Sequence, residues 1–181
     1  MAKLHNGQVL ARFDLSTITG QPVQIPDPDR LVHLQFRRFA GCPICNLHLR
    51  SITRRHDEIV AAGVREVAVF HSTAAAMQPY QGDLPFAAVA DPDRRLYVRF
   101  GVDASPWAVL HPRAWIAALR GVAAGKAAPP AQGESALGLP ADFLIGTDGR
   151  VLAHRYGRHA DDQWSVDDLL HLALRRSHRT S

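Results

Sequence analysis

Leu31-Val32-His33-Leu34-Gln35-Phe36-Arg37-Arg38-Phe39-Ala40-Gly41-Cys42-Pro43-Ile44-Cys45 is the stretch that decides how the rest of the chain is read. Its first six residues have the apolar density of a buried strand, and two cysteines follow where the pattern turns helical. From Pro43 the apolar positions are Ile44, Leu47, Leu49, Ile52, Ile59 and Val60, with Gly63 as the stop. Pro43 suits the first turn of a helix, where its missing N–H would be unpaired anyway. Val64 to Phe70 reads as a second buried strand. Strand, helix and strand within about forty residues make a βαβ unit, with parallel strands and a right-handed crossover.

Outward from this unit the pattern stays α/β. Val9 to Ile25 reads as an irregular lead-in with two short strands, turned at Thr19-Gly20-Gln21-Pro22. Leu84 to Ala90 is a third strand, and Asp91-Pro92-Asp93 starts a short helix over Leu96 to Phe100 that ends at Gly101. Residues 102–138 read as an insertion. It holds Trp107, Trp115, a helical patch near Ala114–Val122 and a Gly/Pro/Ala-rich, flexible segment from Gly125 to Gly138. Phe143-Leu144-Ile145, the turn Thr147-Asp148-Gly149-Arg150 and Val151 to Tyr156 form a β-hairpin. A last helix opens at Ser165, with Asp168 three residues on and Val166, Leu169, Leu170, Leu172, Ala173 and Leu174 on its buried side. The expected fold is a thioredoxin-like α/β arrangement, a central mixed sheet flanked by helices.

The composition fits one globular domain over residues 1–181, with 46% apolar and 21% charged residues. No apolar leader follows Met1, and no run approaches the roughly 18 apolar residues of a membrane span. A cytoplasmic protein without a membrane partner is therefore expected. The net charge of +4 comes from scattered arginines, and the one cluster, Arg175-Arg176-Ser177-His178-Arg179, lies in a basic tail, 175–181. Without aromatic platforms or a docking helix beside it, this tail reads as solvated, and no nucleic-acid partner is expected.

Both cysteines of the chain sit in Cys42-Pro43-Ile44-Cys45. A bridge this short removes little entropy from the unfolded chain, so stapling is the weakest explanation for it. Zinc needs four ligands, and no second cysteine pair or suitably spaced histidine pair is present; His48 and His56 are each isolated on a helix. Asn46 stands where haem attachment requires His. Redox chemistry remains, with no cofactor or metal. The reactive form of cysteine is the thiolate, which the positive end of a helix favours, and Cys42 falls just before one while Cys45 lies in its first turn. Arg37 and Arg38 could add positive potential there; a solvated surface pair is the alternative.

The segment Phe36 to Cys45 resembles the R-x-F-G-C-P-x-C segment of the peroxiredoxin-like proteins. These are a branch of the alkyl hydroperoxide reductase/thiol-specific antioxidant (AhpC/TSA) group. Asp91-Pro92-Asp93, Leu96-Tyr97 and Phe100-Gly101 resemble that group's D-P-x-x-x-L-Y-x-x-x-G helix. Leu139-Pro140-Ala141-Asp142-Phe143-Leu144-Ile145 with Asp148-Gly149 is similar to its L-P-x-x-F-L-I…D-G hairpin. The resemblance implies a thiol-dependent antioxidant oxidoreductase with catalytic Cys42 and Cys45. It also implies a small peroxide or disulfide as substrate, a thiol as reductant, and Pro140 as a cis-proline beside the sulfurs. A homodimer is compatible with the sequence. Against the P-x-x-x-T-x-x-C motif of peroxiredoxins proper, Arg38 stands at the proline, Cys42 at the threonine and Cys45 at the peroxide-attacking cysteine. Pro140 stands where those proteins carry an arginine. Two orders of attack stay open: Cys42 first in disulfide exchange with Cys45 resolving, or Cys45 first in peroxide reduction. Exchange keeps all its parts, so slow peroxide reduction is expected. A thioredoxin-fold module that senses oxidation without turnover is the alternative.

Overall fold

The computed structural model describes residues 2–105, 112–123 and 127–177. Trp107 and the His178-Arg179 end of the basic cluster lie outside them. The chain opens with a two-stranded antiparallel ribbon, β1 (Phe13–Ser16) and β2 (Pro22–Ile25). β3 (Leu31–Phe36) then enters the main sheet and runs into α1 (Pro43–Arg54), α2 (His56–Ala61) and β4 (Val64–Phe70). β3 and β4 are parallel, from Leu31 opposite Val64 to Phe36 opposite Val69, as the βαβ reading requires.

The expected single helix from Pro43 to Gly63 is two. The chain turns at Arg55 (φ −116°, ψ 22°), whose side chain grips Glu58 and, on the last helix, Asp167. The turn lets Ile59 join Ile52, Val64 and Trp164 in one buried cluster, which a straight helix would carry it past. A helix absent from the sequence reading, α3 (Ala74–Gln81), crosses from β4 to the parallel β5 (Ala87–Ala90). Parallel neighbours need such a crossover. Thr73 caps it by accepting the Ala76 N–H. β5 is shorter than the expected Leu84–Ala90, and α4 (Arg95–Phe100) follows it.

α5 (Pro112–Ala123) falls on the expected helical patch. It comes so close to α1 that a Cβ at Gly121 would lie 2.3 Å from the Pro43 carbonyl oxygen. The hairpin is β6 (Ala141–Ile145) and β7 (Val151–Tyr156), followed by α6 (Val166–Ser177). Ser165 and Asp168 cap α6 reciprocally, each side chain accepting the other's N–H. The sheet order β5-β4-β3-β6-β7 puts β3 at the centre, parallel to β4 and antiparallel to β6.

One face of this sheet packs Leu34, Phe36, Val67, Val69, Phe143 and Ile145 against β2 and α4. Phe36 is its hub, with ring centroids 5.0 Å from Tyr97, 5.2 Å from Phe100 and 5.8 Å from Phe143. Phe36→Ala should cost about 3–5 kcal/mol, because those rings cannot collapse into the space left. Urea unfolding is the measurement, and a loss under about 1 kcal/mol would mean that the hub is not where the sheet's stability lies.

Candidate active site: a buried dithiol at the end of the central strand

Side chains alternate across a strand, so His33, Gln35 and Arg37 share the side of β3 opposite Phe36. There they meet Glu66 of β4 and Asp142 of β6, all buried. His33 Nδ1 lies 2.8 Å from Glu66 and its Nε2 3.3 Å from Asp142. Gln35 donates to Glu66 at 2.7 Å and accepts from Arg37 Nε at 2.9 Å. Arg37 also donates to Asp142 at 2.7 Å and to His48 Nε2 at 3.1 Å. Burial disfavours a charged His33, but Glu66 and Asp142 outweigh it and lift its pKa to about 9. Burial also works against Asp142, and Arg37 and His33 more than offset it, holding the carboxyl below its usual range. Burial and Arg37 together keep His48 well below the ordinary histidine value, in keeping with a neutral ring that accepts from the guanidinium.

Arg37 is thus a fully buried structural cation whose charge helps to lower the Cys45 pKa but whose guanidinium does not touch the sulfurs. Arg38, one residue on, does. Its guanidinium lies 2.9 Å from Cys42 Sγ, and its backbone N–H donates to Cys45 Sγ at 3.5 Å. The solvated-pair alternative fails for both arginines, which are 0% and 4% exposed. Cys42 is the N-cap of α1 (φ −61°, ψ 116°), its sulfur accepting the Cys45 N–H at 3.4 Å. Pro43 occupies the first turn as expected.

The two thiols act as one coupled acid. Burial raises the pKa of Cys45, but the Cys42 thiol hydrogen bond and the Arg38 charge bring it down to about 6. Burial, and then the hydrogen bond and charge of Cys45, push Cys42 well above the usual thiol value. Arg38 is correspondingly held more firmly protonated, although burial opposes this. The shared thiol hydrogen bond thus moves the two sulfurs in opposite directions, Cys45 down and Cys42 up.

Pro140 departs from expectation. The cis peptide among the described residues is Ile25–Pro26, and Leu139–Pro140 is trans. Pro140 instead leads into β6, its carbonyl accepting the Gly157 N–H at 2.8 Å. His56 starts α2 and packs on Phe86, with ring centroids 5.6 Å apart. Among the described residues, no cluster of three or more His, Cys, Asp or Glu side chains could hold a metal ion. No described helix is long and apolar enough to cross a membrane.

Residues 51–159, more than half of the chain, match the model of the AhpC/TSA antioxidant enzyme family. The chain belongs to the AhpC/TSA antioxidant enzyme family. The matched span begins after Cys45, so the geometry of the dithiol in this AhpC/TSA chain stands on the structure itself. No curated protein matches it significantly by sequence. Among solved structures it is similar to the peroxidoxin BcpB of Mycobacterium tuberculosis. The TM-score is 0.69 and the identity 17%, over 94% of this chain and 96% of that one. A peroxiredoxin 6 mutant of Arenicola marina aligns with TM-score 0.74 and 15% identity, over 98% of this chain and 76% of that one. A chain assigned as the thiol:disulfide interchange protein DsbE of Chlorobium tepidum aligns with TM-score 0.60 and 22% identity, over 94% and 99%. The fold is thioredoxin-like, as the sequence implies.

Two pH dependences follow from these groups. Alkylation of Cys45 should rise with pH around a midpoint near 6. Rates of iodoacetamide labelling across pH measure it, and a midpoint at or above the free-thiol value of about 8.5 would contradict the Arg38 geometry. His33 gains protons on folding, so its stabilisation is complete below its unfolded value of 6.5 and is lost as pH rises through about 9. Cys45, shifted the other way, opposes this over the same range. In a Cys42→Ser/Cys45→Ser chain the His33 effect should stand alone, as a fall in unfolding free energy of at most about 3 kcal/mol in urea titrations.

Proposed function

We propose that the chain is a dithiol peroxidase in which Cys45 attacks a hydroperoxide and Cys42 resolves the product. The observation that carries this reading is Arg38, which places one cation and one backbone N–H on the two sulfurs at once. Cys45 stands at the attacking position of the peroxiredoxin motif, and it is the sulfur whose pKa is lowered. Its thiolate attacks one peroxide oxygen; an S–O bond forms, the O–O bond breaks, and the alkoxide leaves with the proton of Cys42. Cys45 is then a sulfenic acid beside a Cys42 thiolate that faces the Arg38 guanidinium. Attack by Cys42 forms the S–S bond and expels hydroxide, and a thiol reductant returns both residues to thiols.

Arg38 stands in for the arginine that Pro140 displaces. Its buried Nε–H has no acceptor among the described residues and is placed to meet an oxygen of the substrate. A second reading rests on the same contact. The 2.9 Å approach of Arg38 to Cys42 also suits Cys42 as first attacker in disulfide exchange, with Cys45 resolving.

Peroxide followed by sulfenate trapping and mass spectrometry separates the two. Wild type should give an intramolecular Cys42–Cys45 disulfide, Cys42→Ser a stable sulfenate at Cys45, and Cys45→Ser no fast peroxide reaction. Arg38→Ala should slow peroxide consumption by about 10²-fold, the usual effect of losing a transition-state donor. Peroxide turnover that survives in Cys45→Ser and vanishes in Cys42→Ser would establish the exchange order instead.

A further inference from the structure

Cys42 is 0% and Cys45 1% exposed, so no reagent in solution touches either sulfur while the site is as described. Residues 127–138 form a strap fastened to the residues that flank the dithiol, and its Ala136 packs on the buried cluster that holds both cysteines. The Ala128 N–H donates to the Gly41 carbonyl at 3.0 Å, immediately before Cys42. A Cβ on Gly41 would lie 2.9 Å from the Ala128 Cβ, so the strap can sit this low only over glycine. Further along, the Ala136 carbonyl accepts from Arg38 at 2.8 Å, and the other arm of the same guanidinium holds Cys42. Glu134 accepts from the Ser72 hydroxyl, which in turn accepts the Ala40 N–H at 2.9 Å. The Ser135 N–H donates to His71 Nε2 at 3.2 Å.

These attachments are nearly all polar. No residue from 127 to 138 is fully buried, and Leu137 is 39% exposed. A segment held by hydrogen bonds with little apolar burial belongs to the low-stability end of local opening.

We infer that the strap at 127–138 is the specificity element of the dithiol: it lets hydroperoxide-sized oxidants reach the sulfurs and holds off disulfide-bonded polypeptides. The inference rests on the dithiol reading and names its substrate class. Exchange with a protein disulfide needs three sulfurs in line, with the partner's backbone on both sides of its bridge. A covered thiol cannot meet that demand without removing the strap outright. A small peroxide needs only a brief parting of the Arg38–Ala136 and Gly41–Ala128 contacts.

The test compares alkylation of the reduced protein by N-ethylmaleimide and by a polyethylene-glycol-linked maleimide. In wild type the small reagent should be favoured by roughly tenfold or more over the ratio in the urea-unfolded chain. Gly41→Val, which lifts Ala128, should bring the ratio towards that of the unfolded chain. Glu134→Ala, which removes the Ser72 tie and the Ala131 N–H bond within the strap, should lower it part-way and serves if Gly41→Val does not fold. A wild-type ratio equal to the unfolded one, or a ratio unchanged in the folded variants, overturns the inference. Alkylation does not require turnover. If the ratios behave as expected and peroxide leaves both cysteines unoxidised, the strap stands and the peroxidase reading falls.

Discussion

A guanidinium with no access to water must be paired, and that of Arg37 fixes much of what surrounds it. Its partner is Asp142, which comes from β6, 105 residues later in the chain. Losing one member of such a pair commonly costs about 3–5 kcal/mol, because the other charge is left stranded. The pair therefore locks the register of β6 against the end of β3, and through Gln35, Glu66 and His33 it ties in β4. The backbone that leaves β3 is held as well: the Tyr97 hydroxyl donates to the Arg37 carbonyl, and the Arg37 N–H donates to Val69. The next residue is Arg38. Its N–H meets the Cys45 sulfur because the residue before it cannot move.

Two neighbouring arginines thus do different jobs, Arg38 in contact with the sulfurs and Arg37 acting on Cys45 through its charge alone, for a reason rooted in strand geometry. Alternation sends Arg37 under the sheet with His33 and Gln35, and the end of the strand frees Arg38 to turn towards the helix that carries the cysteines. The sequence shows both residues beside the dithiol and cannot separate them, since the difference is made by Asp142 and by the strap carbonyl of Ala136.

The elements that could be read from sequence are those whose signal is local. β3, β4, the β6–β7 hairpin and α6 each carry their own apolar pattern and boundary residues, and the structure has them where they were expected. α3 carries little such signal, with Pro79 inside it and only Met77 and Gln81 buried. The break at Arg55 falls where its side chain meets Asp167 of a distant helix, a contact that no local pattern announces. At the site, the cysteines, their helix and the nearby cations were legible, whereas the trans bond at Pro140 and the buried polar face were not. That face did leave a trace. His33, Gln35 and Arg37 recur with period two in an otherwise apolar strand, and each must find a partner if the strand is central.

Closing the dithiol and keeping it reactive are opposed requirements. Every bit of water removed from around the sulfurs favours the neutral thiol, so a strap laid over an otherwise bare C-x-x-C pair would silence it. Arg38 reconciles the two because its charge enters the site together with the cover. One arm is held by the strap and the other faces Cys42, so the closed state is also the state in which the cation is fixed. Burial strengthens this attraction as it weakens hydration, since the lower local dielectric acts on both. Covering the site by itself favours the neutral thiols, and for Cys45 it is the cation held with the cover, together with the Cys42 hydrogen bond, that outweighs this.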